Sequence, residues 1–242
     1  MLSILDLFSE ERYYWTPEEI GEKLQVSLPT AYRYLRQLTS SRMLVNENGH
    51  YALGPRVMEL DSLMRRGDVV VKYSKGPMHE ILKLTGCDVI LSKIYEDRVL
   101  VNYIATNSEE KSIVTYTRGR AHPLFEGASA KVLLANLSRY RKEKIYEMHS
   151  ERISEIQMGD SLSEFLEYLS KIKRQNYYVS HEEIDHNVSG IAVPLVMDTE
   201  VLGALSIALP TQRFDFYNEE KMLEILWQTA EQIKGKIVTY TA

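Results

Sequence analysis

Apolar residues recur along this chain with two different periods, and the places where the period changes divide it into elements. LSILDLFS (2–9) has the spacing of one short amphipathic helix, which Arg12 to Trp15 interrupt. Thr16-Pro17-Glu18-Glu19 is a stronger start signal: a threonine cap, a proline in the first turn and a glutamate placed to close a capping box. It predicts a helix from Pro17 to about Leu24. After Gln25 and Val26, Ser27 stands at the cap of a second helix, with Pro29 in its first turn and Ala31, Leu35 and Leu38 at helical spacing. The segment LVNENGHYAL then alternates in steps of two around Asn48-Gly49, the pair best suited to a two-residue hairpin turn. Helix, turn, helix and hairpin in this order predict a winged helix-turn-helix, whose second helix is the one that enters a major groove.

Gly54-Pro55 ends the wing, and RVMELDSLMRR carries the spacing of a linker helix that stops near Gly67. Two domains are therefore expected, 1–66 and 67–242. Residues 68–85 read as helical despite Pro77. After Gly86 the period drops to two: CDVILSKIY and RVLVNYIA flank the turn Glu96-Asp97, and SIVTYT follows as a third strand. A break at Arg118–His122 leads to a helix around ASAKVLLANL and to further helices near 139–149 and 161–175. Strands follow at Tyr177–Ser180, Ile191–Met197 and Val201–Leu209, the last two joined at Asp198-Thr199-Glu200. Asn218 opens a long closing helix. Helices and antiparallel strands in blocks define an α+β class with helices against a sheet.

Composition changes this picture little, and charge changes it in one place. Of 242 residues, 44% are hydrophobic and 26% charged, which speaks against wholesale disorder and against a coiled-coil rod. No apolar run approaches the roughly 20 residues needed to span a bilayer, and the start lacks the marks of a leader, so a cytoplasmic protein with no membrane partner is expected. Cys87 is alone, which excludes an intrachain disulfide and zinc sites built on paired cysteines. The net charge of −5 argues against indiscriminate coating of nucleic acid. Yet Lys23, Arg33, Arg36 and Arg42 are unaccompanied by any acidic residue between 23 and 46, whereas five glutamates lie between 10 and 22.

That local charge falls on the second helix of the pair. With Ala31, Leu35 and Leu38 turned inward, Thr30, Arg33 and Gln37 lie on the opposite face, flanked by Tyr32 and Arg36; Tyr34 falls on the packed side. Arginine offers paired donors to a guanine edge, glutamine pairs with adenine, and threonine meets a thymine methyl or a phosphate. Helix N-termini attract phosphate, which adds Ser27, and His50 at the wing tip can meet phosphate or a minor groove. The alternatives are an ordinary solvated helix or a winged helix that docks on protein.

Beyond the wing, GRAHPLFEGASAKVLLANL (119–137) and RQNYYVSHEEIDHNVSGIAVPLVMDTEVLGALSIALPTQRF (174–214) resemble the effector-binding domain of the IclR (isocitrate lyase regulator) family of bacterial transcription regulators. The resemblance is ordered along the whole chain and includes YALGPRVMEL after the wing. It implies a GAF-like sensor domain for a small, often anionic metabolite, in dimers or tetramers bound to pseudo-palindromic operators, and it implies no cofactor. Carried over by position, the effector pocket would be lined by Val114 and Tyr116 on the third strand and by Ala128 and Ser129 at the next helix start. Facing them would be Ser180, Val188 and Gly190, with Ser206 and Ala208 on the last strand. A helix N-terminus beside small residues and hydroxyls leaves room for a carboxylate. Where Ala208 stands the family commonly has a serine, and where Phe125-Glu126-Gly127 stands a His-Ala-Thr or similar run. The loss of one donor and the gain of Glu126 bear on the ligand's chemistry. For Ser129 and Ser206 a plain backbone bond is the competing role, and for Lys131 an anchoring ion pair.

The rival class is a metal-dependent or hydrolytic enzyme with a fused winged helix. A nucleophile elbow fails at Gly127-Ala128-Ser129-Ala130-Lys131, because glycine is missing at its end, and Ser170-Lys171-Ile172-Lys173 lacks companion motifs. No phosphate-binding loop or dinucleotide fingerprint occurs. HEEIDH (181–186) gathers two imidazoles and three carboxylates that, with His122, have donors suited to zinc; a solvated acidic loop is the preferred reading, since helical His spacing is lacking. No catalytic residue and no metal is assigned.

Overall fold

The computed structural model describes residues 1–107 and 118–241. The chain divides into two compact units, Met1–Asp68 and Val69–Ala242.

In the first unit a 3-10 turn, Leu2–Leu7, takes the place of the expected short α-helix, and only Ile4 of it is buried. Helix α1 (Pro17–Lys23) begins with both halves of the capping box: the Glu19 amide donates to Thr16 Oγ1 at 3.3 Å and the Thr16 amide donates to Glu19 Oε2 at 2.9 Å. Arg12 also reaches the Glu19 carboxylate. The Thr16 amide and Arg12 together hold that carboxyl below its ordinary range. Helix α2 (Leu28–Ser40) buries Ala31, Leu35 and Leu38. Strands β1 (Leu44–Glu47) and β2 (His50–Leu53) form the wing around Asn48 and Gly49, both at positive φ as a tight hairpin turn requires. Trp15 extends this ribbon by exchanging two backbone bonds with Tyr51 (3.0 and 2.8 Å), so Ile4, Trp15, Ile20 and Tyr51 share one core with α2. Helix α3 (Pro55–Gly67) follows and buries none of its own residues.

The second unit is built on an antiparallel sheet with strand order β5-β4-β3-β8-β7-β6 among the described residues. Its elements are α4 (Val69–Thr85), β3 (Asp88–Tyr95), β4 (Arg98–Ala105), β5 (Ala121–His122), α5 (Ala128–Asn136), α6 (Arg139–Glu155), α7 (Leu162–Gln175), β6 (Tyr178–His181), β7 (Val188–Met197), β8 (Glu200–Pro210), α8 (Thr211–Phe214) and α9 (Glu219–Thr241). The expected strand over SIVTYT lies outside the described residues. Helical backbone continues past 149 to Glu155 as a second stretch, joined to the first across a kink at His149 (φ −135°, ψ 21°). The sequence reading missed β5 and α8, which are too short to show a period.

Helices cover both faces of the sheet, and strand alternation decides what each face holds. Ile191, Val193 and Leu195 of β7 and Leu205, Ile207 and Leu209 of β8 point toward α4 and α9, where Met78, Ile81, Leu226 and Ile233 complete the larger core. The intervening positions, Ala192, Ala204, Ser206 and Ala208, are small and lie on the side of α5. Because these side chains are short, α5 sits close to the sheet, and Ala128 through Ala135 are all buried. Phe165, Leu169 and Ile172 of α7 close that layer from outside.

Candidate DNA interface and effector pocket

On α2, Arg33, Arg36 and Gln37 are exposed and Tyr32 is 48% exposed, while Tyr34 is half-buried against the core of the first unit. The Arg33 guanidinium carbon lies 5.4 Å from the Tyr34 ring centre, so the tyrosine that packs inward also shapes the resting position of the arginine. Ser27 holds the N-cap position but makes no side-chain bond to the helix backbone; its hydroxyl meets Thr30 Oγ1 at 2.9 Å instead. That is a correction to the capping expected of Ser27, and it ties two of the candidate contact residues to each other. His50 is exposed at the start of β2, opposite Glu47 across the hairpin. Arg42, part of the acid-free stretch, faces Glu59 of α3 at 3.4 Å, and Arg56 meets the same carboxylate at 2.6 Å.

In the second unit, Ala128, Ser129, Ser180, Val188, Gly190, Ser206 and Ala208 all line one pocket between the start of α5 and strands β6, β7 and β8. Val114 and Tyr116 lie outside the described residues. Ser129 Oγ donates to Ser206 Oγ at 3.0 Å, linking the helix start to β8. The Ala128 amide donates to Ser180 Oγ at 3.2 Å, linking it to β6. Ser206 Oγ in turn donates to the Ile90 carbonyl at 3.5 Å, so the backbone role weighed for Ser206 is present beside the serine pair. Gly190 fits because a side chain there would press on Ser180 Oγ at 3.1 Å and approach Ala128 Cβ at 3.7 Å.

The pocket also contains residues that the carry-over did not name: Ile90, His122, Glu126, Gly127, Glu183, Ile184, Asp185, Ser189 and Ile207. Glu183 is the most consequential. One of its oxygens accepts from the Gly127 amide at 2.8 Å, and the carboxylate meets Lys131 Nζ at 2.8 Å. Lys131 is 8% exposed, donates also to Tyr178 OH at 2.9 Å, and is thus the anchoring ion-pair partner rather than a free cation. Burial, ahead of the Tyr168 and Glu183 neighbours, raises the Tyr178 phenol far above its usual range, so it stays protonated. Glu126 pairs with Arg152 of α6, which neutralises the charge that the sequence placed against an anionic ligand. Burial lowers His122 to about 4, with Asp185 acting in the opposite direction, so its ring is neutral at ordinary pH.

The acidic run is dispersed rather than convergent. His181 Nδ1 faces Ser189 Oγ at 3.0 Å, Glu182 pairs with His186 at 2.9 Å, and Glu183 turns to Lys131. No group of three or more His, Cys, Asp or Glu among the described residues is arranged to hold a metal ion.

Comparison with known proteins gives the lineage. A model described as "Bacterial transcriptional regulator IclR C-terminal" matches residues 64–235, and one described as "IclR helix-turn-helix domain" matches residues 1–47. This chain belongs to the IclR family. It is a DNA-binding transcription regulator. Among IclR-family relatives, it is 27% identical to the HTH-type transcriptional regulator KdgR of Escherichia coli, over 98% of this chain and 90% of that protein. It is 25% identical to the Pca operon regulatory protein of Acinetobacter baylyi, over 97% and 86%. Its fold matches the structure of an IclR homolog from Microbacterium hydrocarbonoxydans complexed with 4-hydroxybenzoate, with a TM-score of 0.74, 20% identity, and 98% of this chain and 97% of that one covered. The winged helix and the antiparallel sheet are thus IclR features. Among the described residues no helix is long and apolar enough to cross a membrane.

The IclR resemblance located small and hydroxylated pocket residues because they sit in ordered motifs. Glu183 and Ile184 escaped it because they belong to a connection whose course no periodicity fixes. The available signal was Lys131 itself: a lysine in the middle of an otherwise apolar helix needs a buried acid close by.

Proposed function

We propose that this IclR-family chain acts in the cytoplasm as a homodimer or homotetramer on a pseudo-palindromic operator, with a small organic acid in the α5 pocket setting operator affinity. Thr30, Arg33 and Gln37 read base edges, Tyr32, Arg36, Ser27 and His50 contact the backbone or its margin, and residues 1–66 form the DNA-binding part. Ala128, Ser129, Ser180, Val188, Gly190, Ser206 and Ala208 hold the effector, together with Val114 and Tyr116. The observation that carries the reading is that the seven described members of this set, drawn from four separate elements, line one pocket at a helix start. The bound 4-hydroxybenzoate of the Microbacterium homolog supports an acid as the ligand class.

Dimerisation is supported by α3, where Leu60, Leu63 and Met64 share one face at i, i+3 and i+4 and are 36%, 59% and 65% exposed. An apolar helix face of this kind is expected to meet another. The metabolite would then favour one arrangement of paired linker helices, and with it one spacing of the two recognition helices against their half-sites.

The test is binding of full-length protein to DNA upstream of its neighbouring genes, with 4-hydroxybenzoate and other small carboxylic acids added in turn. The expected outcome is a protected, two-fold related site whose affinity falls steeply with salt and shifts with one of the acids. Protein that binds no DNA across that region, or whose footprint ignores every acid while answering a neutral or basic metabolite, would overturn the corresponding part.

A further inference from the structure

Glu183 occupies the place where the pocket is best equipped to receive an acid. The start of α5 has an amide directed at it from Gly127, and the nearly buried Lys131 supplies the opposite charge from one turn further on. Tyr178 OH donates to Glu183 Oε1 at 3.0 Å and also takes a bond from Lys131. Together these three groups form a carboxylate socket, and a carboxylate of the chain itself is seated in it. The segment bearing it, Glu182–Asn187, connects β6 to β7 and has a left-handed residue at each end, Glu182 (φ 52°) and Asn187 (φ 62°). Between those two corners Ile184 lies over Gly127. The segment is thus a strap drawn across the pocket and fastened by one acidic side chain.

Resting on the effector-pocket reading above, we propose that Glu183 is a tethered competitor: an incoming carboxylate takes its place on Gly127 N–H and Lys131, and the strap is released by that exchange. This socket is costly to leave empty, because removing the partly buried Glu183 carboxylate strands the nearly buried Lys131. Exchange of one carboxylate for another avoids that cost, whereas a neutral ligand would have to break the pair without replacing it. The socket therefore selects acids, and the signal it transmits is movement of the Glu182–Asn187 strap.

The experiment uses full-length Glu183→Ala with acetate as the probe. Sodium acetate should raise the melting temperature of this variant saturably, by roughly 2–4 °C for a contact of ordinary strength. Sodium chloride at equal ionic strength should not, and wild type, with its socket filled, should show no such rise. Equal responses of variant and wild type, or equal effects of acetate and chloride, would overturn the proposal. Glu183→Gln, which keeps the shape and removes the charge, provides a second reading if the alanine variant does not fold. Hydrogen exchange across 182–187 should then be severalfold faster than in wild type, and unchanged exchange would overturn the proposal as well. Acetate rescue combined with operator binding that no metabolite alters would leave the socket standing and remove the effector reading. Metabolite-sensitive operator binding without rescue would do the reverse.

Discussion

Ile184 Cδ1 lies where a Cβ on Gly127 would have to be. Gly127 also has φ 82° and ψ 157°, a backbone state that L residues with side chains rarely adopt. Gly127→Ala should therefore combine strain with a clash and destabilise the protein by about 1–3 kcal/mol. Urea unfolding followed by fluorescence measures this, and a loss below a few tenths would mean that the strap retracts at no cost.

Arg33→Ala should weaken operator binding by roughly 1–3 kcal/mol while leaving the melting temperature nearly unchanged, because the side chain is exposed and removed from the core of Ala31, Leu35 and Leu38. Fluorescence anisotropy with labelled operator is the measurement. Unchanged affinity would show that another face of α2 meets the DNA.

Thr16→Ala removes one half of the capping box and exposes the Glu19 amide. A cost of about 0.5–2 kcal/mol is expected in thermal or chemical unfolding. Glu19→Gln should cost less, since it keeps the reciprocal bond to the Thr16 amide and loses only the charge that Arg12 meets.

His122 supplies a pH dependence. In the folded protein it takes a proton only near pH 4, whereas its unfolded value is 6.5. Between these values the unfolded state binds more protons, so stability falls as the pH drops from 6.5 toward 4 and this contribution is gone below about 4. His122→Gln should flatten that part of the stability profile. A profile identical to that of wild type between pH 4 and 6.5 would show that the ring is not held neutral.

Much of this architecture was legible because its signals are local. Thr16 and Glu19 announce α1, Asn48-Gly49 announces the wing, and β7 and β8 show their period of two outright. The pocket's small residues were legible through the IclR motifs. Ser27 was misread because a cap position does not dictate where a hydroxyl turns, and Thr30 offered it a partner at 2.9 Å. The kink at His149 hid the second half of α6, since the interruption resembles an end. Lys131 signalled the need for an acid, but which acid was not legible: Glu183 lies more than 50 positions from Gly127 and Lys131, and only folding brings them together.

Strand β8 sets bulky Leu205, Ile207 and Leu209 on one side and small Ala204, Ser206 and Ala208 on the other. One strand thus serves two compartments, every second codon addressing the same room, with Ile207 alone of the three bulky residues also bordering the cavity. Positions 206 and 208 can therefore be varied as a library to reshape the proposed effector cavity, while Leu205 and Leu209 on the core side stay untouched.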